Sequence, residues 1–242
     1  MNEKVDFGYQ KVARSAKQNL VQEIFTDVAP KYDLMNNFMS FGLHNGWKEV
    51  LLKEISPTEG DCLIDVAGGT GDIAGKFIEH GGLRATVVDL NKAMLEAGQA
   101  KISDDRIDWV HANAEELPFA SNSFDYYTIS FGIRNVTNIP KALKEAFRVL
   151  KPMGKFLCLE FSQVNTPIVK EIYDYYSFKV IPKIGKFVAD NEDAYRYLVE
   201  SIKKFEPAPR FSKLIEQAGF ENVEYTKLSL GVVAIHVGYK LG

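Results

Sequence analysis

"CLIDVAGGTGDIA", residues 62–74, decides how the chain is read. Its first half is short, apolar and β-branched, the composition of a strand buried on both faces. The apolar run leads straight into Gly68, Gly69 and Gly71, which let the backbone turn tightly and approach a ligand without a Cβ in the way. "GDIAGKFIEHGG" follows, with Ile73, Phe77 and Ile78 at helical spacing and Gly81 as a stop. A strand that turns through glycines into a helix opens a crossover unit.

Downstream the same alternation repeats. "RATVVDL" (84–90), "IDWVHAN" (107–113), "FDYYTISF" (124–131) and "KFLCLEF" (155–161) read as strands. Asn91 is placed to cap "KAMLEAGQAK". Pro140 opens a helix with Ala142, Leu143, Ala146, Phe147 and Leu150 on its apolar face, and "KPMG" closes it. Strands separated by helices predict a mostly parallel sheet covered on both faces. After the short helix "RFSKLIEQAGF", "NVEYTKLS" and "VVAIHVGYK" are divided only by a turn near Gly231, so they form an antiparallel pair closing the sheet.

Upstream, residues 1–60 read as mostly helical. Val12, Ala16, Leu20, Ile24 and Val28 recur every four residues, and Phe41, Leu43, Trp47, Val50, Leu51, Leu52 and Ile55 form a second amphipathic region. Residues 168–205 are rich in aromatics, including Tyr173, Tyr175, Tyr176, Phe178, Phe187, Tyr195, Tyr197 and Phe205.

At 242 residues with 46% hydrophobic and 25% charged residues, the chain has the makings of one large globular α/β unit. A net charge of −3 gives no reason to expect nucleic acid as a partner. Cys62 and Cys158 both lie in apolar runs and read as reduced core residues of a cytoplasmic protein, not a disulfide or a metal pair. No metal is expected. The N-terminus has no signal-like apolar stretch, and no apolar run is long enough to span a bilayer, so membrane contact would be peripheral.

The strand ends carry the chemistry. Asp65 ends the first strand and could attract an ammonium group. Asp89 ends the second, 18 residues after Gly71, where a carboxylate can accept hydrogen bonds from both hydroxyls of a ribose. Asn113 and Ala114 end the third, where an amide and backbone groups could read an adenine edge. Three neighbouring strand ends thus point to an adenosine ligand. "GTGDIA" satisfies the loose dinucleotide fingerprint, and Tyr175 and Lys179 have the Tyr-x-x-x-Lys spacing of short-chain dehydrogenases. Those enzymes, however, begin with the glycine strand. Asp65 and Asp72 flank this loop; they repel a pyrophosphate and suit a cationic sulfonium, so the ligand is read as S-adenosyl-L-methionine, a methyl donor.

With these pieces in place, the chain resembles class I S-adenosylmethionine methyltransferases, and within them the ubiquinone/menaquinone biosynthesis C-methyltransferases. The resemblance runs over nearly the whole chain. It rests on "KYDLMNNFMSFGLHNGWK" (31–48), "DVAGGTGDIA" (65–74), "NAEELPF" (113–119), "TISFGIRNVTN" (128–138), "RVLKPMGKFLCLEFS" (148–162), "YDYYSFKVIPKIGKFVADNEDAYRYLVESI" (173–202) and "GVVAIHVGYK" (231–240). It implies a three-layer αβα Rossmann-like fold: a seven-stranded sheet, last strand antiparallel, with a helical N-terminal cover over residues 1–60 and a helical insertion at about 165–208. It implies cofactor contacts from Thr70, Asp89, Asn113, Ala114 and Ser130, with Asp65 and Gly69 lining the loop. Two positions depart from the class pattern: Ala67 stands for the first loop glycine and Met153 for a glycine of the KP-x-G turn.

The implied reaction is C-methylation of the ring of a polyprenylated quinol, a benzoquinol, demethylmenaquinol or both. Carbon attack needs an electron-rich ring, which favours the quinol and its phenolate. Arg134 and Asn135 are then expected to hold the quinol oxygens, the alternative for Arg134 being an ion pair with an acid at the loop start. Asp72 is the candidate base, acting through water, with Tyr32, Asp33 and His44 as other candidates and His111 structural. The aromatic segment would line a trough for the prenyl tail, face a membrane or simply pack, and the first two helices would close over the cofactor. Left open are methylation of another small lipid, a non-catalytic scaffold in a quinone-synthesis complex, a homodimer, and residence at the inner face of the membrane.

Overall fold

The computed structural model describes residues 4–28, 40, 42–164 and 192–242. The chain begins with β1 (Lys4–Phe7), β2 (Gln10–Ala13), α1 (Arg14–Val28) and α2 (Leu43–Ile55). There follow β3 (Cys62–Val66), α3 (Asp72–Glu79), β4 (Arg84–Asp89), α4 (Lys92–Lys101), β5 (Ile107–His111), β6 (Phe124–Ser130), α5 (Ile139–Val149) and β7 (Leu150–Phe161). The last elements are α6 (Glu192–Lys204), α7 (Ala208–Gln217), β8 (Glu221–Leu228) and β9 (Val233–Tyr239).

Seven strands form one sheet in the order β5-β4-β3-β6-β7-β9-β8. All neighbours up to β7 run parallel, and β9 runs antiparallel to both β7 and β8. β3, the strand of the opening stretch, therefore lies where the strand order reverses, the place at which open α/β sheets bind ligands.

Alternation along each strand supplies both cores. Ile64 and Val66 of β3 pack with Tyr127, Phe156, α5 and α7 on one face, where Phe211 and Ile215 are fully enclosed. Leu63 and Val87 point the other way, into a core with Leu51 and Leu52 of α2 and Phe77 of α3. Each such fully buried side chain contributes about 2 kcal/mol of burial. The helix ends follow local chemistry. The Asn91 side chain accepts from Met94 N (3.2 Å) at α4, and that of Asn138 from Lys141 N (3.2 Å) at α5. At the other end of α5, the enclosed Lys240 ammonium donates to Phe147 O (2.9 Å), Leu150 O (2.7 Å) and Asn122 Oδ1 (2.7 Å), satisfying orphan carbonyls.

The structure departs from the sequence expectation at the N-terminus. Val12 does not start a helix but pairs with Val5 in a β-hairpin, and α1 begins only at Arg14. An isolated hairpin is marginal in water, so packing decides the outcome. Phe7 stacks on Tyr197 of α6 with ring centroids 4.4 Å apart, and Tyr9 N donates to Glu200 Oε2 (2.9 Å). The two departures from the class glycine pattern have a shared geometry. Ala67 (φ 53°) and Met153 (φ 67°) both adopt the left-handed conformation that favours glycine. Phe41 and the aromatics from Tyr173 to Phe187 lie outside the described residues; Tyr195, Tyr197 and Phe205 are buried. Among the described residues no helix is long and apolar enough to cross a membrane.

Candidate active site

The carboxyl ends of β3, β4 and β6 open into one cavity, lined by Val66, Ala67 and Gly69 after β3, Asp89, Leu90 and Asn91 after β4, and Ser130 to Gly132 after β6. Ala112 and Ala114 close it beyond β5, and Val21, Gln22 and Phe25 of α1 lie across it. The backbone at its rim is unusual. Ala67 and Phe131 are both left-handed (φ 53° and 56°), a conformation costing about 1–2 kcal/mol in a non-glycine residue. Gly132 is the complement: a Cβ there would come 2.5 Å from the Ala67 methyl. Gly68 is equally constrained, since a Cβ would lie 2.7 Å from Asp65 Oδ2 and 2.9 Å from Val87 Cγ1.

Asp89 is fixed by the loop it serves. Its Oδ2 accepts from Gly69 N (2.9 Å) and its Oδ1 from Asn91 N (2.8 Å). Burial raises its pKa and these backbone donors oppose the shift. A carboxylate offers about four acceptor sites, so two remain for a ligand's hydroxyls. Asp65 is fully enclosed, with Oδ1 accepting from Thr128 Oγ1 (2.7 Å) and no partner for Oδ2 among the described residues. Burial pushes its carboxyl up to about 7, opposed by the Thr128 bond and the Lys48 charge. The Ser130 hydroxyl, at the adjoining strand end, is also buried without a partner. Unpaired buried polar atoms at two neighbouring strand ends are what a polar ligand would satisfy.

Several expected residues have other commitments. The Asn113 Oδ1 accepts from Glu115 N (2.9 Å), so its amide oxygen holds a turn; Ala112 and Ala114 line the cavity instead. Thr70 is buried in the glycine loop and is not among the groups lining this cavity. Asp72, the candidate base, is held by Lys48 Nζ (2.7 Å) and Lys101 Nζ (2.9 Å). Burial alone would raise its pKa, but the two ammonium groups outweigh it and hold it at about 2. An acid so depressed is a poor base at neutral pH. Its charge is also compensated, so Asp65 alone supports the argument that this loop favours a cation. His44 shares a hydrogen bond with Ser40 Oγ (2.8 Å), and His111 Nε2 with Leu90 O (2.9 Å). Tyr32, Asp33, Tyr175 and Lys179 lie outside the described residues.

Arg134 and Asn135 separate in role. Arg134 Nη1 donates to Glu160 Oε1 (2.8 Å) and to Phe131 O, inside a pair whose side chains are 5% and 1% exposed. The guanidinium also lies over the Phe161 ring, 5.4 Å from its centroid. The structure thus displays the ion pair that the sequence offered as the alternative to a free cation. Glu160 gave no signal, being one acid in an apolar strand 26 residues away. Among the described residues the buried Arg134 Nε has no partner. Asn135, on the turn after β6, does line the cavity, and its Oδ1 accepts from Tyr197 Oη (3.0 Å).

The sequence reading missed how α1 is tied down. Gln22 Nε2 donates to Leu90 O (2.9 Å), while Asn91 Nδ2 donates to Gln22 O (3.1 Å) and Thr26 Oγ1 (2.9 Å). Lys17 Nζ, its pKa lowered by burial, donates to Val136 O (3.2 Å). These bonds fasten one helix to two sides of the cavity mouth.

Comparison with known proteins agrees with this geometry. Residues 11–240 match the ubiE/COQ5 methyltransferase family. The Ubiquinone/menaquinone biosynthesis C-methyltransferase UbiE of Dinoroseobacter shibae is 51% identical over 240 residues, covering 97% of this chain and 96% of that protein. Among solved structures, a Haloferax volcanii methyltransferase in complex with the Trm112 activator superposes with a TM-score of 0.67 at 15% identity, covering 90% of this chain and 98% of that one. The Haemonchus contortus phosphoethanolamine N-methyltransferase 2 with S-adenosyl-L-methionine gives 0.62 at 16% identity, over 81% of this chain and 53% of that one.

Proposed function

The chain belongs to the ubiE/COQ5 methyltransferase family, and we propose that it methylates a ring carbon of a polyprenylated quinol, a benzoquinol, demethylmenaquinol or both, with S-adenosyl-L-methionine as donor. The observation that carries the cofactor part is the cavity at the strand-order reversal, with Asp89 at one side and the Ser130 hydroxyl at the other; the enclosed Asp65 carboxyl lies against Gly68 of the glycine loop and does not line the cavity. In this reading Asp89 holds the ribose hydroxyls, Asp65 faces the ammonium of the methionine portion, and Ala112 and Ala114 flank the adenine. When bound, the donor supplies an electrophilic methyl on a sulfonium sulfur.

The residues of the chain do the rest. A quinol carbon becomes nucleophilic as its neighbouring hydroxyl gives up a proton to water; once the methyl has transferred, the ring hydrogen leaves as a proton to water and the phenolate oxygen takes one back, so one proton is released overall. Asn135 meets the quinol oxygen at the cavity wall. Arg134 contributes through its free Nε–H, as a paired rather than a bare cation, so its pull on the oxygen is weaker than an isolated guanidinium would exert. With Asp72 held near 2, phenolate character comes from these donors rather than from a strong base. α1 would exclude water over the cofactor, and Phe131 at the cavity is backed by Phe161 and Trp47, with ring centroids 4.8–6.5 Å apart.

The test is direct. Purified protein is supplied with the methyl donor and a chemically reduced demethyl quinol, and the product is fragmented by mass spectrometry. A new methyl on ring carbon supports the reading. A methyl on oxygen, or none with any quinol, refutes it.

A further inference from the structure

Resting on the reading that Asn135 meets the quinol oxygen, we infer that Tyr197 is the positioning residue that fixes which end of the Asn135 amide faces the ligand. An amide carries an acceptor oxygen at one end and a donor NH₂ at the other, and a free side chain can present either. Here Tyr197 Oη donates to Asn135 Oδ1 at 3.0 Å, in a buried setting. Burial pushes the phenol up to about 12, so it stays a neutral hydroxyl. With Oδ1 occupied, Nδ2 is the end left for the cavity. The ligand atom it meets must then be an acceptor, which a quinol oxygen is, and the more so as it gains negative charge.

Tyr197 is itself held from outside the sheet domain. The Phe7 ring stacks on it at 4.4 Å with the planes 24° apart. Two further contacts fix the hairpin to α6: Tyr9 N donates to Glu200 Oε2 (2.9 Å), and Asp6 lies 3.8 Å from the Lys204 ammonium. Gly8 belongs to the same fit, since a Cβ there would come 2.3 Å from Glu200 Oε2. The N-terminal hairpin thus braces α6, α6 presents Tyr197, and Tyr197 orients the amide. This gives the hairpin, whose strands are largely half-buried, a role at the reacting end of the molecule.

The test is a double-mutant cycle in kcat with a fixed quinol and saturating methyl donor. Tyr197→Phe keeps the ring and its stacking but frees the amide. It is expected to lower kcat about tenfold, the worth of one buried hydrogen bond acting in the transition state, while the dissociation constant for the donor stays within twofold. In an Asn135→Ala background the same substitution is expected to change kcat by less than twofold, because there is no amide left to orient. Phe7→Ala provides a second probe, with a smaller loss that also vanishes in the Asn135→Ala background. Equal losses in both backgrounds, or a weakened grip on the donor, would show a merely structural tyrosine and overturn the inference. If the unsubstituted protein methylates no quinol, the functional reading falls and this inference with it; turnover by the unsubstituted protein with an additive cycle sinks the tyrosine alone.

Discussion

The Asp65 carboxyl makes the sharpest prediction, because it is an enclosed acid to which the proposed function gives a cationic partner. Its pKa is about 7, pushed up by burial. A ligand ammonium beside Oδ2 would restore the ordinary value of about 4. Binding must then expel whatever proton the free site holds: about 0.9 at pH 6, about 0.5 at pH 7 and about 0.1 at pH 8. The sign follows directly. A group whose pKa falls on binding makes affinity rise with pH, so the dissociation constant for S-adenosylmethionine should be about tenfold weaker at pH 6 than at pH 8. Titration calorimetry in two buffers of different ionisation enthalpy counts the protons. Asp65→Asn should abolish both the release and the pH dependence, since its amide can still accept from Thr128. Methylthioadenosine, which lacks the ammonium, should bind without expelling a proton. The same acid costs the unliganded fold stability as pH climbs from about 4 to 7, by up to about 4 kcal/mol relative to the Asn variant. Flat affinity and no proton release between pH 6 and 8 would refute the assignment of Asp65 to the ammonium.

Three other outcomes follow from the geometry. Asp89→Asn should weaken cofactor binding by about 10–100-fold by calorimetry and lower the melting temperature as well, because the amide NH₂ must face one of the two backbone N–H groups, of Gly69 and Asn91, from which the carboxylate accepts. Glu160→Ala leaves Arg134 buried without its partner, 5% exposed; chemical denaturation should show a loss of about 3–5 kcal/mol. Asp72→Asn should leave the acid limb of the kcat profile in place, because a carboxyl held at about 2 is not what titrates there.

Much of the architecture could be read directly from the chain, because local patterns decide it. A run such as "CLIDVA" followed by glycines has few other uses, and a short turn near Gly231 leaves β8 and β9 little choice but to pair. The hairpin at Lys4–Ala13 was hidden for the opposite reason. Its strands are only four residues each, Val12 continued the helical stripe of α1, and the partner that stabilises it, α6, lies some 190 residues away. The position of Gly8 next to Tyr9 was the one local clue. For the site, the strand-end reading put Asp89 and Ala114 at what the structure shows to be a cavity, since topology fixes where strand ends go, while Ser130 came only from the family resemblance.

Charge was the part that sequence neighbours could not settle. Asp72 looked like a free acid beside the loop, yet the lysines that neutralise it are 24 and 29 residues away. Arg134 looked like a free cation, yet Glu160 on the adjoining strand had already claimed it. In both cases proximity in the fold, not along the chain, determined the net charge. Charge alone therefore does not single out the groups that would meet a ligand. Asp65 Oδ2, Ser130 Oγ and Arg134 Nε are buried and unsatisfied, and each such atom costs about 1–3 kcal/mol in a fold that gains nothing from it. The first two sit at the ends of β3 and β6 and the third on the turn that follows. Of the three only Ser130 lines the cavity, so it is there that a polar ligand would supply the missing partner directly, while Asp65 and Arg134 would act on it from behind the wall.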